Sequence, residues 1–252
     1  MKRFLLILVL IALPASLTIA QENKDRYLSA VEQFNAGNYS DAADSWLGLF
    51  NAGYDNYEIL YNLGNAYYKM NDIPMAILFY ERALLRKPGN EDIKYNLAIA
   101  SGHIKDRFES IPGVFLVRWF NYISLTLLYD SWAVISIVSF IIALGLILLF
   151  LFLSRYNLKI LSFWVGLLFL IVSVFSLSFS YRSRDLVYSS NEAIVVSPVV
   201  TGRSTPGESG TELFVIHEGL KVRTGEKLGE WIEIRLPDGN KGWVTTSSIE
   251  II

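Results

Sequence analysis

Two histidines, His103 and His217, are the only imidazoles in this 252-residue chain, and cysteine is absent. Without cysteine there are no thiolate nucleophiles, disulfides or Cys-ligated metals, and no Cys–His pair for an amidase. A Ser–His–Asp set would have to be assembled around one isolated histidine, and no nucleophile-elbow motif occurs. No Gly-x-x-x-x-Gly-Lys-Ser/Thr phosphate loop is present. The carboxylates are scattered on helix faces that solvent ordinarily covers. No catalytic residue, metal set or cofactor is therefore expected. A formal net charge of −2 argues against a nucleic-acid partner, which would call for a basic face. The chemistry left is recognition. Tyr61, Asn65, Tyr68 and Lys69 fall at i, i+4, i+7 and i+8, one stripe of a helix, and Asn96 joins it from a later helix.

Those residues need a scaffold. From residue 21 to about 109 the pattern is helical and repeats. The clearest unit, Tyr57 to Asn90, reads Leu60-x-x-Leu63-Gly64-x-x-Tyr67, then Ala76-x-x-x-Tyr80-x-x-Ala83, then Pro88. Small residues at Gly64, Ala76 and Ala83 let two antiparallel helices and the next repeat approach, and Pro88 stops the second helix. This unit resembles the tetratricopeptide repeat. One 34-residue period earlier, Ala30 stands opposite Gly64, Phe34 opposite Tyr68, Ala42 opposite Ala76 and Trp46 opposite Tyr80, with Gly37-Asn38 matching Asn71-Asp72. Asp92 to Phe108 reads as one further helix, the cap that a stack of repeats requires. The resemblance implies a concave, protein-binding groove built from Tyr61, Asn65, Tyr68, Lys69 and Asn96. The alternatives are a clamp for a partner's C-terminal carboxylate and a purely structural module. Against the clamp, Tyr61 stands where a lysine is usual.

Two runs, 131–154 and 160–181, contain no charged residue. As helices rising about 1.5 Å per residue, each crosses a hydrocarbon core of about 30 Å. The five-residue loop 155–159 makes them an antiparallel membrane hairpin, so both flanking regions lie on one side. Residues 1–20 read as a secretory signal: Lys2 and Arg3, an apolar core from Phe4 to Leu13, and Thr18-Ile19-Ala20 before the cut, with an uncleaved anchor as the alternative. Either sends both flanks out of the cytoplasm and leaves Arg155 and Lys159 inside. Residues 110–130 are aromatic and amphipathic, which suits a helix at the membrane surface; a linker packed on the repeats is the other reading.

Residues 187–252 switch to period two, with five or six short strands between breakers such as Pro237-Asp238-Gly239. That makes a small all-β barrel. Leu213-Phe214-x-x-His217-Glu218-Gly219-x-Lys221-Val222, followed by Gly229-x-Trp231 and Gly242-Trp243-Val244, resembles a bacterial Src-homology-3 (SH3-like) domain. Trp231 and Trp243 serve packing or a ligand surface, and the resemblance allows peptidoglycan or protein as ligand.

The expected fold class is thus a multi-domain membrane protein: an all-α tetratricopeptide-repeat stack, a two-helix transmembrane hairpin and an SH3-like barrel. In that order the parts resemble the E-type proteins of the Bat (Bacteroides aerotolerance) operon family. The resemblance implies a two-span protein of the bacterial inner membrane with both soluble domains periplasmic. It further implies partners among membrane proteins with von Willebrand factor A domains and other products of such operons, an associated cytoplasmic MoxR-type ATPase, and a role in oxygen or oxidative-stress tolerance. On this reading the protein is a non-enzymatic scaffold. The alternative is a cell-envelope sensor whose barrel binds peptidoglycan.

Overall fold

The computed structural model describes residues 21–108, 114–188 and 191–252. The expected signal peptide and Pro112-Gly113 lie outside the described residues. The chain forms two compact units. One gathers the described residues up to Leu84, the segment from Glu91 to Phe108, and Glu192–Ile252. The other gathers Leu85–Asn90 and the described residues from Val114 to Asn191.

The first unit opens with helix α1 (21–35), followed by α2 (Tyr39–Asn51), α3 (Tyr57–Lys69), α4 (Ile73–Arg86) and α5 (Glu91–Ser101). Local signals set the boundaries. The Asn56 side chain accepts from the Ile59 N–H at the start of α3, and Asp72 does the same for Met75 at the start of α4. α4 ends two residues before Pro88, where proline disfavours helix in its predecessor. Gly37 and Asn71, one repeat length apart, both turn with positive φ, 86° and 62°. Glycine takes that region freely, and asparagine tolerates it better than most residues. The expected small positions are interior: Ala30, Ala42, Ala76 and Ala83 are fully buried, with Leu60, Leu63, Trp46 and Tyr80 filling the space around them. At Gly64 a Cβ would stand 2.5 Å from the Tyr80 ring, so glycine is what lets α3 and α4 close.

The cap helix is shorter than expected. α5 stops at Ser101 rather than running to Phe108, because Gly102 and His103 bond back to Ala98 and Ala100 and end it. The released segment joins the strand domain. The Asp106 carboxylate accepts from both the His217 N–H and its Nδ1, and Phe108 packs on the strand-domain core.

That domain is one antiparallel sheet of seven strands: β1 (Glu192–Val195), β2 (Val199–Arg203), β3 (Glu212–His217), β4 (Lys221–Leu228), β5 (Trp231–Arg235), β6 (Lys241–Thr245) and β7 (Ile249–Ile251). The order is β3-β2-β6-β5-β4-β1-β7. Ile216 of β3 and Ile249 of β7, from the two outer strands, share one core with Val195, Val222, Ile234 and Val244. Both outer strands therefore contribute to the same interior. β7 was not expected: three residues after Ser247-Ser248 are too few to read as a strand. The Gly242 of Gly-Trp-Val has a packing role, since a Cβ there would meet the Phe214 ring at 2.8 Å.

Repeat helices and sheet each have a core of their own, and side chains cross between the two. Ile194 of β1 is fully buried in the helical core, with Ile252 packed beside it. Gly219 fits against Ile77 and Ile104. Lys221 bridges Glu81 of α4 at 3.0 Å and Glu192 of β1 at 2.8 Å. Burial disfavours its charge, but the two carboxylates outweigh this and hold the Lys221 ammonium above the usual lysine range.

The second unit contains α6 (Phe115–Ser124), α7 (Tyr129–Phe152) and α8 (Tyr156–Tyr188). Both α7 and α8 are long and apolar enough to cross a membrane. A seam of small residues joins them: Ser136, Ser139 and Ala143 on α7 and Ser162, Gly166, Ser173 and Ser176 on α8 are buried. Ser136 and Ser173 each donate to the other's carbonyl oxygen at 2.9 Å. Small residues allow the close approach, and the crossed hydroxyls add polar attraction where water is scarce. α8 runs past the expected end at Tyr181, through Arg182 and Asp185, which pair with each other, to Tyr188.

Candidate functional site: a groove across the repeat helices

A groove of about 320 Å³ opens on α3 and α5, lined by Phe34, Asn65, Tyr68, Lys69, Tyr80, Asn96 and Ile99. Of the residues read from the sequence, Asn65, Tyr68, Lys69 and Asn96 line it. Tyr61 stands behind them, half-buried against the helical core. Its hydroxyl accepts from Asn96 Nδ2 at 3.0 Å, so it holds an asparagine in place.

The two amides are locked together. Asn96 Nδ2 donates to Asn65 Oδ1 at 2.9 Å, and the Tyr80 hydroxyl donates to the same oxygen at 2.8 Å. This leaves Asn65 Nδ2 as a donor and Asn96 Oδ1 as an acceptor. Exchanging O and N in both side chains leaves the same balance, one donor and one acceptor. That pair complements a peptide group, whose C=O accepts and whose N–H donates. A carboxylate offers acceptors alone, so the amide pair suits it less well. Burial, with the nearby Tyr61 phenol, pushes the Tyr80 phenol well above the usual tyrosine range, so it remains a donor.

Apolar surface flanks the amides. Phe34 comes from α1, Ile99 lies one turn beyond Asn96, and Tyr68 stands edge-on to the His103 ring at 5.9 Å. Lys69 is exposed at the rim and makes no ion pair among the described residues. Three lining residues were missed as site residues. Phe34 had a signal, since it falls one repeat before Tyr68. Ile99 falls on the same face as Asn96 by helical spacing. Tyr80 read as packing, and its ring does pack while its hydroxyl reaches the groove.

Trp231 and Trp243 alternate with the core residues Ile232, Ile234 and Val244, so they sit on the sheet's other face, half-buried. Trp231 pairs with Thr245 and Trp243 with Glu233, which makes the two rings diagonal neighbours. Trp231 lines a second cleft of about 270 Å³ with Thr201, Arg203, Thr245 and Ser248, and Trp243 does not. Among the described residues no group of three or more His, Cys, Asp or Glu side chains could hold a metal.

Comparison with known proteins covers part of the groove. No curated protein matches the chain. The family model of the tetratricopeptide repeat matches residues 57–90, which cover α3 and α4, so the chain is similar to tetratricopeptide-repeat proteins over the helix pair that carries Asn65, Tyr68, Lys69 and Tyr80.

Proposed function

We propose that the protein is a non-enzymatic, membrane-anchored scaffold whose repeat groove holds an extended segment of a partner protein. The observation that carries this reading is the Asn65–Asn96 pair, which offers one donor and one acceptor between apolar walls. The amides take a backbone peptide group, and Phe34, Tyr68 and Ile99 take the flanking side chains. Lys69 favours a partner segment with an acidic residue at the rim.

In this reading α7 and α8 cross the inner membrane as a hairpin, and both soluble parts face the periplasm. The chain's two ends support it. The described residues up to Leu84 and from Glu91 to Phe108, ahead of α6, and Glu192–Ile252, after α8, belong to one compact unit, so the chain must leave that unit and return to it, as a two-span hairpin does. Partners are membrane proteins with von Willebrand factor A domains and other products of a Bat-type operon, which links the protein to oxidative-stress tolerance. The strand domain is SH3-like and braces the repeats.

The cleft beside Trp231, with an arginine and four hydroxyl side chains, supports a second reading, a sensor that binds peptidoglycan there. Two assays on the detergent-solubilised full chain separate them. Asn65→Ala abolishes co-purification of the membrane partner and leaves sedimentation with purified sacculi unchanged if the groove is the working site. Trp231→Ala removing sacculus binding, with co-purification indifferent to Asn65→Ala, favours the sensor.

A further inference from the structure

We infer that α6 is a third membrane contact, lying in the headgroup layer at the end of the hairpin where the chain enters α7 and leaves α8. The inference rests on the membrane reading of α7 and α8. Its starting point is an amphipathic helix that is turned inside out for an aqueous protein. Phe115, Trp119 and Tyr122 follow i, i+4, i+7 spacing and form one face, and they are 75%, 52% and 72% exposed. Leu116 extends the same face, with Arg118 as its single charge. The polar side chains Asn121 and Ser124 point the other way, into the hairpin. A helix in water buries its apolar face and shows its polar one. α6 does the reverse, which is the arrangement expected where the outer solvent is lipid.

Its depth is set by contacts with α7 and α8. Phe120 packs on Phe179 at 5.0 Å between ring centroids, and the Trp132 indole N–H donates to the Ser124 carbonyl at 3.1 Å. Arg182 Nε donates to Asn121 Oδ1 at 2.9 Å. Arg182 is the first charged residue after the uncharged run 160–181 of α8, so this level is where hydrocarbon gives way to headgroups. Rings prefer that depth, and Arg118 can reach the phosphates from it. The hairpin likewise leaves aliphatic side chains uncovered, Val134, Ile137 and Ile141 among them. The occupant is accordingly lipid, and α6 fixes the height and tilt of the hairpin as a foot would.

Because the chain has no cysteine, single labels test this directly. Phe115→Cys and Tyr122→Cys carry a nitroxide in the full chain, reconstituted into phosphatidylethanolamine–phosphatidylglycerol vesicles. Ile141→Cys on α7 serves as the lipid reference and Glu91→Cys on α5 as the water reference. Each label is scored by its collisions with oxygen relative to a water-soluble nickel chelate. Both α6 labels should give ratios well above that of Glu91→Cys, approaching that of Ile141→Cys. Water-like ratios at both α6 sites beside a lipid-like Ile141→Cys overturn the inference and leave the hairpin standing. A water-like ratio at Ile141→Cys as well overturns the membrane reading itself. α6 labels shielded from both reagents indicate a protein surface covering the helix, which also overturns the inference.

Discussion

At Gly64 the backbone of α3 lies so close to Tyr80 that one added methyl must move an aromatic ring. Gly64→Ala should therefore lower stability by about 1–3 kcal/mol, despite alanine's better helix propensity, and thermal unfolding would register it as a lower Tm. The groove is sensitive for a different reason. Asn65→Ala leaves the Asn96 amide and the Tyr80 hydroxyl without their shared acceptor, and each orphaned polar group costs about 1–3 kcal/mol when it stays out of water. Partner affinity should fall at least tenfold, measured by titration with the partner. Tyr80 also has an alkaline signature. The fold holds its phenol protonated, so its contribution is complete below about pH 10, where an unfolded tyrosine titrates, and is lost as pH rises through the higher folded value. Urea midpoints should decline above about pH 10, with a shallower slope in Tyr80→Phe. Asn65, Tyr68, Lys69 and Asn96 were legible as one surface because helical spacing is local. Tyr61 was misplaced because spacing gives a side chain's direction, and its hydroxyl turned out to support Asn96 rather than line the groove.

Elements with strong periodic signals, α3, α4 and the long apolar helix α7, stand where the sequence puts them to within a few residues. Those that departed did so through partners far along the chain. α5 ends early because residues 103–108 are drawn to the strand domain by His217, more than one hundred positions away. α8 continues past Tyr181 because Asn121 and Asp185 hold Arg182 there, and no window of sequence around Arg182 contains Asn121. The hairpin seam is the element-scale test. Ser173→Leu places a bulky side chain where Ser136 approaches and should splay α7 from α8. A pair of spin labels across the seam would read longer distances, whereas Ser178→Leu on an exposed position of α8 should leave them unchanged.

On the scale of the whole molecule, the helical repeats and the strand domain, separated in sequence by the hairpin, fold as one unit. Ile194 is buried among repeat helices, Phe108 packs on the sheet, and Lys221 joins Glu81 to Glu192. Ile194→Ala should cost about 2–5 kcal/mol and weaken both parts together, visible as one cooperative transition by helical and tryptophan signals alike. Two separated transitions would contradict this coupling. This union was hidden in the sequence, where repeat and strand domain read as separate modules on one anchor. The residues that join them are ordinary core and surface types in each segment's own pattern. The central claim is that the groove, and not an enzymatic centre, is where the protein works. Photoreactive residues placed in cells at Tyr68 and Ile99, on the groove wall, test it most directly. The account predicts discrete adducts with a membrane protein bearing a von Willebrand factor A domain, lost when Asn65→Ala is added. A groove that traps no protein, while a probe at Trp231 traps cell wall, would contradict it.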